Sequence, residues 1–254
     1  MSTENTPAPL SQFPKLGKLA QITHAVTTRF GPAFGKVGTD QATADAAQET
    51  AKLLGMNAAA WAHQVHGDTI LRVKESGIAG EADGLITDVP GLLIVGRSAD
   101  CPIILVAGQR ADGTSAVGFA HASWRSTVKN ITSKLIHQMI HEMEVIPASL
   151  HAAIAPSAGP CCYEVGDEVR DEALKELGPE AGQFFTARDD RWMFDLWAAN
   201  IWQLHQAGVP EAQVENSRIC TICQGGAFWS WRDQGEQAGR FAGVIGITPP
   251  TKSP

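Results

Sequence analysis

Three residues of this chain carry side chains suited to a single metal ion: His66, Cys101 and His121. Each lies in a short motif, respectively His63-Gln64-Val65-His66-Gly67, Ser98-Ala99-Asp100-Cys101-Pro102 and His121-Ala122-Ser123-Trp124-Arg125. One thiolate and two imidazoles are three of the four ligands of a catalytic zinc, with the last position left to water or substrate. They stand far apart in the chain, so only the fold can bring them together. Asp100 beside the cysteine and Arg125 beyond the second histidine are partners that metal ligands or an anionic substrate would use.

The other reactive side chains fit this picture less directly. His63 and His66 point to opposite sides of an extended segment, so one of them is expected as a ligand. His137 and His141 share a helix face but lack the H-E-x-x-H pattern and fall off the apolar stripe, which makes a solvated face the better reading. Cys161-Cys162 follow Pro156-Ser157-Ala158-Gly159-Pro160, a shaped loop that can present a thiol, and a buried structural cysteine is an equal alternative. Cys220-Thr221-Ile222-Cys223 has C-x-x-C spacing, suited to redox chemistry or half a zinc knuckle, and no second C-x-x-C completes it. Arg232 and Arg240 follow Phe228-Trp229-Ser230-Trp231, a set that can hold phosphate and stack a base, though aromatic core is the plainer explanation.

The elements that must position these residues follow from apolar spacing and turn chemistry. Ala25–Phe30 reads as a strand ending at Gly31-Pro32. Ala44–Leu54 reads as a helix with Thr43 as N-cap and Gly55 as its stop. Leu92–Arg97 and Ile103–Val106 suit buried strands on either side of the Asp100-Cys101-Pro102 corner, and Ala116–His121 is a strand that delivers His121 at its end. Val128, Ile131, Leu135, Met139 and Met143 recur at helical steps. Val165–Leu177 and Asp195–Gln206 are further helices, and Phe241–Ile247 is a final strand. Strands and helices alternate irregularly, which gives an α/β (α+β) class, and neither a Rossmann nor a P-loop glycine pattern occurs.

Composition bounds the function. With 254 residues, 44% hydrophobic and 19% charged, the chain can bury a large core. We expect a single catalytic domain over residues 19–248 between loose tails at 1–18 and 249–254. The net charge of -7 argues against a broad nucleic-acid or anionic-membrane surface. No apolar run has the length of a signal or a membrane span, and five cysteines cannot all pair within the chain. A cytoplasmic protein acting on small molecules, monomeric or weakly dimeric, is the expectation.

Taken in order, the motifs resemble the laccase-domain family, also called multicopper polyphenol oxidase or peptidoglycan-editing factor proteins, many of them described as purine nucleoside phosphorylases. The resemblance runs from about Ile22 to Ile247. It is carried by Thr27-Thr28-Arg29, Gln64-Val65-His66-Gly67, Ala82-Asp83-Gly84, Ala99-Asp100-Cys101, His121 through Arg125, Gly159 through Gly166, Cys220-Thr221, and Ser230 through Arg240. It implies one domain of mixed β-sheets packed together and flanked by helices, with zinc at His66, Cys101 and His121. Ser123 and Ser126 stand where the family usually has glycine, Asp233 where it has a second arginine, and Gly31-Pro32 where it has Gly-Gly.

The activities ascribed to the family can be ranked physically. Multicopper oxidation needs many histidines, typically in His-x-His pairs; this chain has eight and no such pair, so copper is disfavoured against zinc. Phosphorolysis of adenosine, inosine, guanosine or methylthioadenosine needs a nucleoside site and a phosphate site, for which Arg29, Arg125 and Arg232 are the candidate cations. Adenosine deamination, a side activity, suits an open zinc position that activates water. We expect Arg29, Asp100 and Cys162 as catalytic residues, and Gln64, Arg125, Ser230 and Arg232 as substrate-binding residues. Amide hydrolysis of a nucleotide-linked muramoyl-amino acid, polyphenol oxidation and a non-enzymatic metal-binding role are the alternatives.

Overall fold

The computed structural model describes residues 8–35 and 40–250. Two six-stranded mixed sheets form the centre. The first runs Leu10–Ser11, Ile22–Thr27, Phe241–Ile247, Leu92–Ser98, Ala58–His63, Gly77–Glu81; the second runs Val214–Asn216, His151–Ile154, Ile103–Gln109, Ser115–His121, Gly84–Thr87, Ile70–Arg72. Ala58–His63 is parallel to both its neighbours, whereas Phe241–Ile247 is antiparallel to both of its own. Ile94, Ile103, Leu105, Phe119, Phe241 and Ile245 interleave between the two sheets, each contributing roughly 1.5–3 kcal/mol of apolar burial. A Cβ on Gly96 would meet the Phe119 ring at 2.7 Å, so glycine there lets the sheets close.

Helices cover the outer faces. Asp40–Leu53 sets Ala46, Ala47 and Ala51 against Ala59, Val95 and Val244 of the first sheet. Ile131–Met143 sets Leu135 and Met139 against Ile86, Ile104 and Val106 of the second. A small sheet of Glu164–Val165, Arg191–Phe194 and Phe185–Arg188 packs with helices Asp167–Leu177 and Leu196–Gln206. No helix among the described residues is long and apolar enough to cross a membrane.

Several expected boundaries move for local reasons. The expected helix from Val128 to Met143 is two helices, Trp124–Val128 and Ile131–Met143, because Asn130 takes a left-handed turn at φ 66. Ser123 and Ser126 form a buried cap at the first of these, Oγ to Oγ at 2.7 Å. Thr43 is not an N-cap: the helix is already under way at Asp40, and the Thr43 hydroxyl accepts from Arg97 at 2.8 Å. Asp195 caps its helix by accepting from the Ala198 N–H.

The packed body also starts ahead of residue 19. Leu10–Ser11 pairs with Ile22–Thr27, Phe13 and Leu16 are buried, and the N–H groups of Lys15 and Leu16 donate to the Glu215 carboxylate. His24 holds this segment down: its Nε2 accepts from the Phe13 N–H at 2.8 Å while its ring stacks on Phe13. Burial pushes the His24 imidazole down to about 4. Below an unfolded pKa near 6.5 the unfolded chain binds the extra proton first, so stability falls as the pH drops toward that folded value and levels off beneath it. The expected loss is about 3 kcal/mol at most. Urea midpoints across this range should show a steeper pH slope for wild type than for His24→Gln; equal slopes would remove His24 as the cause.

Candidate metal centre and active site

The three candidate ligands converge where the two large sheets meet. His66 follows Ala58–His63 of the first sheet, Cys101 lies in the turn from Leu92–Ser98 to Ile103–Gln109, and His121 ends Ser115–His121 of the second. One ligand atom from each lies within 4.8 Å of the other two. The imidazoles of His66 and His121 meet edge to face with centroids 5.1 Å apart. His63 leaves this centre, as its spacing predicts, and turns toward Asp40 at 3.7 Å. His137 and His141 are exposed on their helix.

Asp83 holds the arrangement together, and its side chain is wholly buried. Oδ1 accepts from His121 Nδ1 at 2.8 Å and from the His66 N–H at 3.0 Å; Oδ2 accepts from the N–H groups of Val65 and Gly67 at 3.1 and 2.7 Å. His121 therefore donates from Nδ1, and Nε2 is the atom that would face an ion once its own proton is displaced. His66 sits at φ 58, and these N–H bonds to one carboxylate hold that left-handed turn. Burial alone would raise the Asp83 carboxyl; His121 and the N–H donors outweigh it and hold it below the usual range. Ala82-Asp83-Gly84 carries part of the resemblance, but Asp83 is not among the expected site residues; its signal in the sequence is a lone carboxylate ahead of a glycine and an apolar strand.

The electrostatics of the triad suit a cation. Burial opposes ionisation of Cys101, but the charge and hydrogen bonds of His121 and His66 bring its thiol down to about 6. Burial likewise opposes charge on His121, while Cys101 and Asp83 lift the imidazole to about 9. The fold thus prepares a thiolate at neutral pH, and two nitrogens and one sulfur with an open side fit one metal ion.

A cavity of about 340 Å³ opens over these ligands, walled by Gln64, Asp100, Tyr163 and Trp231 and by three guanidiniums, Arg97, Arg232 and Arg240. Of the expected residues, Gln64, Asp100 and Arg232 are here. The Gln64 amide is spanned by Arg97, donating to its carbonyl and accepting from its N–H, both at 2.8 Å. Asp100, at φ 96, accepts from the Thr221 hydroxyl at 2.6 Å and the Arg232 N–H at 2.7 Å. Arg232 donates to the Glu164 carbonyl and lies over the Tyr163 ring, 4.8 Å from its centroid.

Four expected residues lie elsewhere. Arg29 donates to the Phe228 carbonyl and stacks on Trp229 beside a separate groove. Ser230 is a buried N-cap, its hydroxyl accepting from the Asp233 N–H. Arg125 is exposed over the Trp124 ring on a neighbouring groove that shares Tyr163 and Arg232 with the cavity. Cys162 turns to three other cysteines and does not line this cavity. Arg97, Tyr163 and Trp231 went unassigned. Arg97 was visible as the one cation in an otherwise apolar strand.

Residues 30–248 match the family model described as multi-copper polyphenol oxidoreductase laccase. The chain belongs to this family. Among the laccase-like relatives, it is 35% identical over 195 residues to the purine nucleoside phosphorylase YlmD of Geobacillus stearothermophilus, covering 72% of this chain and 70% of that protein. It is 32% identical over 251 residues to the purine nucleoside phosphorylase of Deinococcus radiodurans, 94% and 93% of the two chains. It is 34% identical over 175 residues to adenosine deaminase RL5 from an unknown prokaryotic organism, 67% of this chain and 64% of that protein. The crystal structure of the Geobacillus YlmD superposes with a TM-score of 0.81 at 28% identity, over 95% of this chain and 100% of the other.

Proposed function

We propose that this laccase-like chain is a zinc-dependent purine nucleoside phosphorylase with an adenosine deaminase side activity. The observation that carries the reading is an open His–Cys–His set at the floor of a cavity whose walls hold three guanidiniums and two aromatic rings. The names of the Geobacillus and Deinococcus relatives and of RL5 support nucleoside chemistry. Zinc, held by His66, Cys101 and His121, would supply Lewis acidity. Neither reaction moves an electron, so a redox-silent ion suffices.

Phosphorolysis breaks the bond from C1′ to the base nitrogen and forms one from C1′ to a phosphate oxygen, while the base leaves with a proton. Arg97 and Arg240 are the phosphate cradle. Their described hydrogen bonds run to the Thr43 hydroxyl and to the carbonyls of Ala238 and Gly239, while Asp40 attracts Arg97 and Asp100 attracts Arg240 through charge. Burial lowers both guanidiniums, and Arg97 is lowered further by Arg240 beside it. A phosphate dianion between them relieves that repulsion. Trp231, 47% exposed, and the Tyr163 ring offer flat faces to the purine. Burial raises the Tyr163 phenol, so it stays a neutral O–H donor. Asp100 and Gln64 act as positioning residues, since protein N–H and O–H groups engage them. Arg29 and Ser230 buttress the loop bearing Trp231 and Arg232, and Arg125 is an outer cation on the adjoining groove.

The test is turnover of adenosine and inosine by zinc-loaded protein, with and without phosphate, resolved by chromatography. Free base and ribose 1-phosphate should form only with phosphate, and inosine should form slowly from adenosine without it. Conversion under neither condition overturns the reading. Arg240→Ala should raise the KM for phosphate about 10–100-fold, as loss of a charge-assisted hydrogen bond predicts.

A further inference from the structure

The four remaining cysteines gather at one place. Cys161 and Cys162 come from the loop after Pro160, Cys220 and Cys223 from the loop after Val214–Asn216, and all four sulfurs lie within 4.8 Å of one another. The half knuckle that the C-x-x-C spacing suggested is completed by an adjacent pair. Cys161 and Cys223 are exposed, Cys162 is half-buried and Cys220 is buried, so the cluster sits just beneath the surface. It is separate from the His66–Cys101–His121 set, with which it shares no residue.

We infer that these four thiols form a second, structural metal site that takes zinc as a tetrathiolate. A tetrahedral ion with bonds of about 2.3 Å sets its sulfurs about 3.8 Å apart. The separation of Cys161 Sγ from Cys223 Sγ, 3.6 Å, is close to that edge and far longer than a disulfide bond of about 2.05 Å. The backbone is also arranged for a thiolate: the Gly159 N–H donates to Cys220 Sγ at 3.3 Å. The two loops are already in register, with Ser157 bridging Cys220 and the Thr221 N–H donating to the Ser157 carbonyl. Disulfides would join these thiols only in pairs, whereas one thiophilic ion engages all four.

Such an ion would brace one wall of the active-site cavity. Thr221, inside the C-x-x-C turn, donates to Asp100, and the Ala158 N–H donates to the Asp100 carbonyl, one residue before the ligand Cys101. Cys162 precedes Tyr163 in that wall. Locking the two loops would therefore fix Asp100 and Tyr163 without touching substrate. The inference stands whether or not the nucleoside reading holds, because it concerns different ligands.

Metal content of the full chain, purified with zinc present, tests it by elemental mass spectrometry. Wild type should hold two zinc ions per chain, Cys101→Ser one, and Cys223→Ser or Cys161→Ser one; the latter two positions are exposed and tolerate substitution best. Cobalt-substituted Cys101→Ser should show the intense sulfur-to-cobalt absorption of a four-thiolate set. The wild-type zinc count needs no variant, so poor folding of any one substitution leaves the test intact. One zinc in wild type with none in Cys101→Ser overturns the proposal. So does a wild-type intact mass lighter by two hydrogens, reporting a disulfide, with no second ion.

Discussion

Cys101→Ser is expected to empty the first metal site and lower nucleoside turnover about 10³-fold or more, the equivalent of several kcal/mol of lost Lewis-acid stabilisation. Serine keeps the volume and stays a neutral hydroxyl at pH 7. The set is then left with two imidazoles, one of which has lost the neighbouring anion that supports it. Metal content and kcat/KM on inosine with phosphate, measured on the same sample, check this. Retention of one zinc at the four-cysteine cluster shows that the fold has survived. Full turnover by a variant lacking zinc at the first site would mean that the ion plays no part in the reaction.

Asp83→Asn should weaken metal binding about 10–100-fold, the usual cost of losing a group that orients a ligand, and destabilise the metal-free protein by about 2 kcal/mol or more through mismatched buried donors. The asparagine amide has the same shape but only one accepting end. It must turn its NH₂ either toward His121 Nδ1 or toward the N–H groups of Val65 and Gly67, and each choice sets donor against donor. Because the folded carboxyl lies below its ordinary value, its contribution is in full force above about pH 4 and fades only as the pH falls through that lower value. Chelator competition and urea unfolding give the two numbers separately. Unchanged affinity with lowered stability would reduce Asp83 to a packing residue.

Much of this was legible in the chain and some was not. Apolar runs located the central strands: Phe241–Ile247 appears as expected, and Leu92–Ser98 and Ile103–Gln109 flank Cys101 as the Asp100-Cys101-Pro102 corner predicts. Those runs answer to burial between two sheets, which composition records directly. His66, Cys101 and His121 do come together, as their types and motifs suggest. Side-chain partnerships were not legible. Asp83 and Cys220 act through hydrogen bonds and contacts with residues remote in sequence, so their motifs mark them without naming their partners. The cations divided likewise: Arg232 reaches the cavity, Arg29 is turned aside onto Trp229, and Arg97, the one cation of its strand, is carried into the cavity wall. The break at Asn130 hangs on one backbone angle, finer than helical periodicity can register.

The seam between the two large sheets gives the first ion a second meaning. Its ligands come from the first sheet, from the turn that crosses over, and from the second sheet, so no part of the chain can bind it alone. An ion that binds only the native arrangement shifts the folding equilibrium toward it by mass action. An ion held by His66, Cys101 and His121 would thus favour the docked sheets over any arrangement that leaves those three side chains apart.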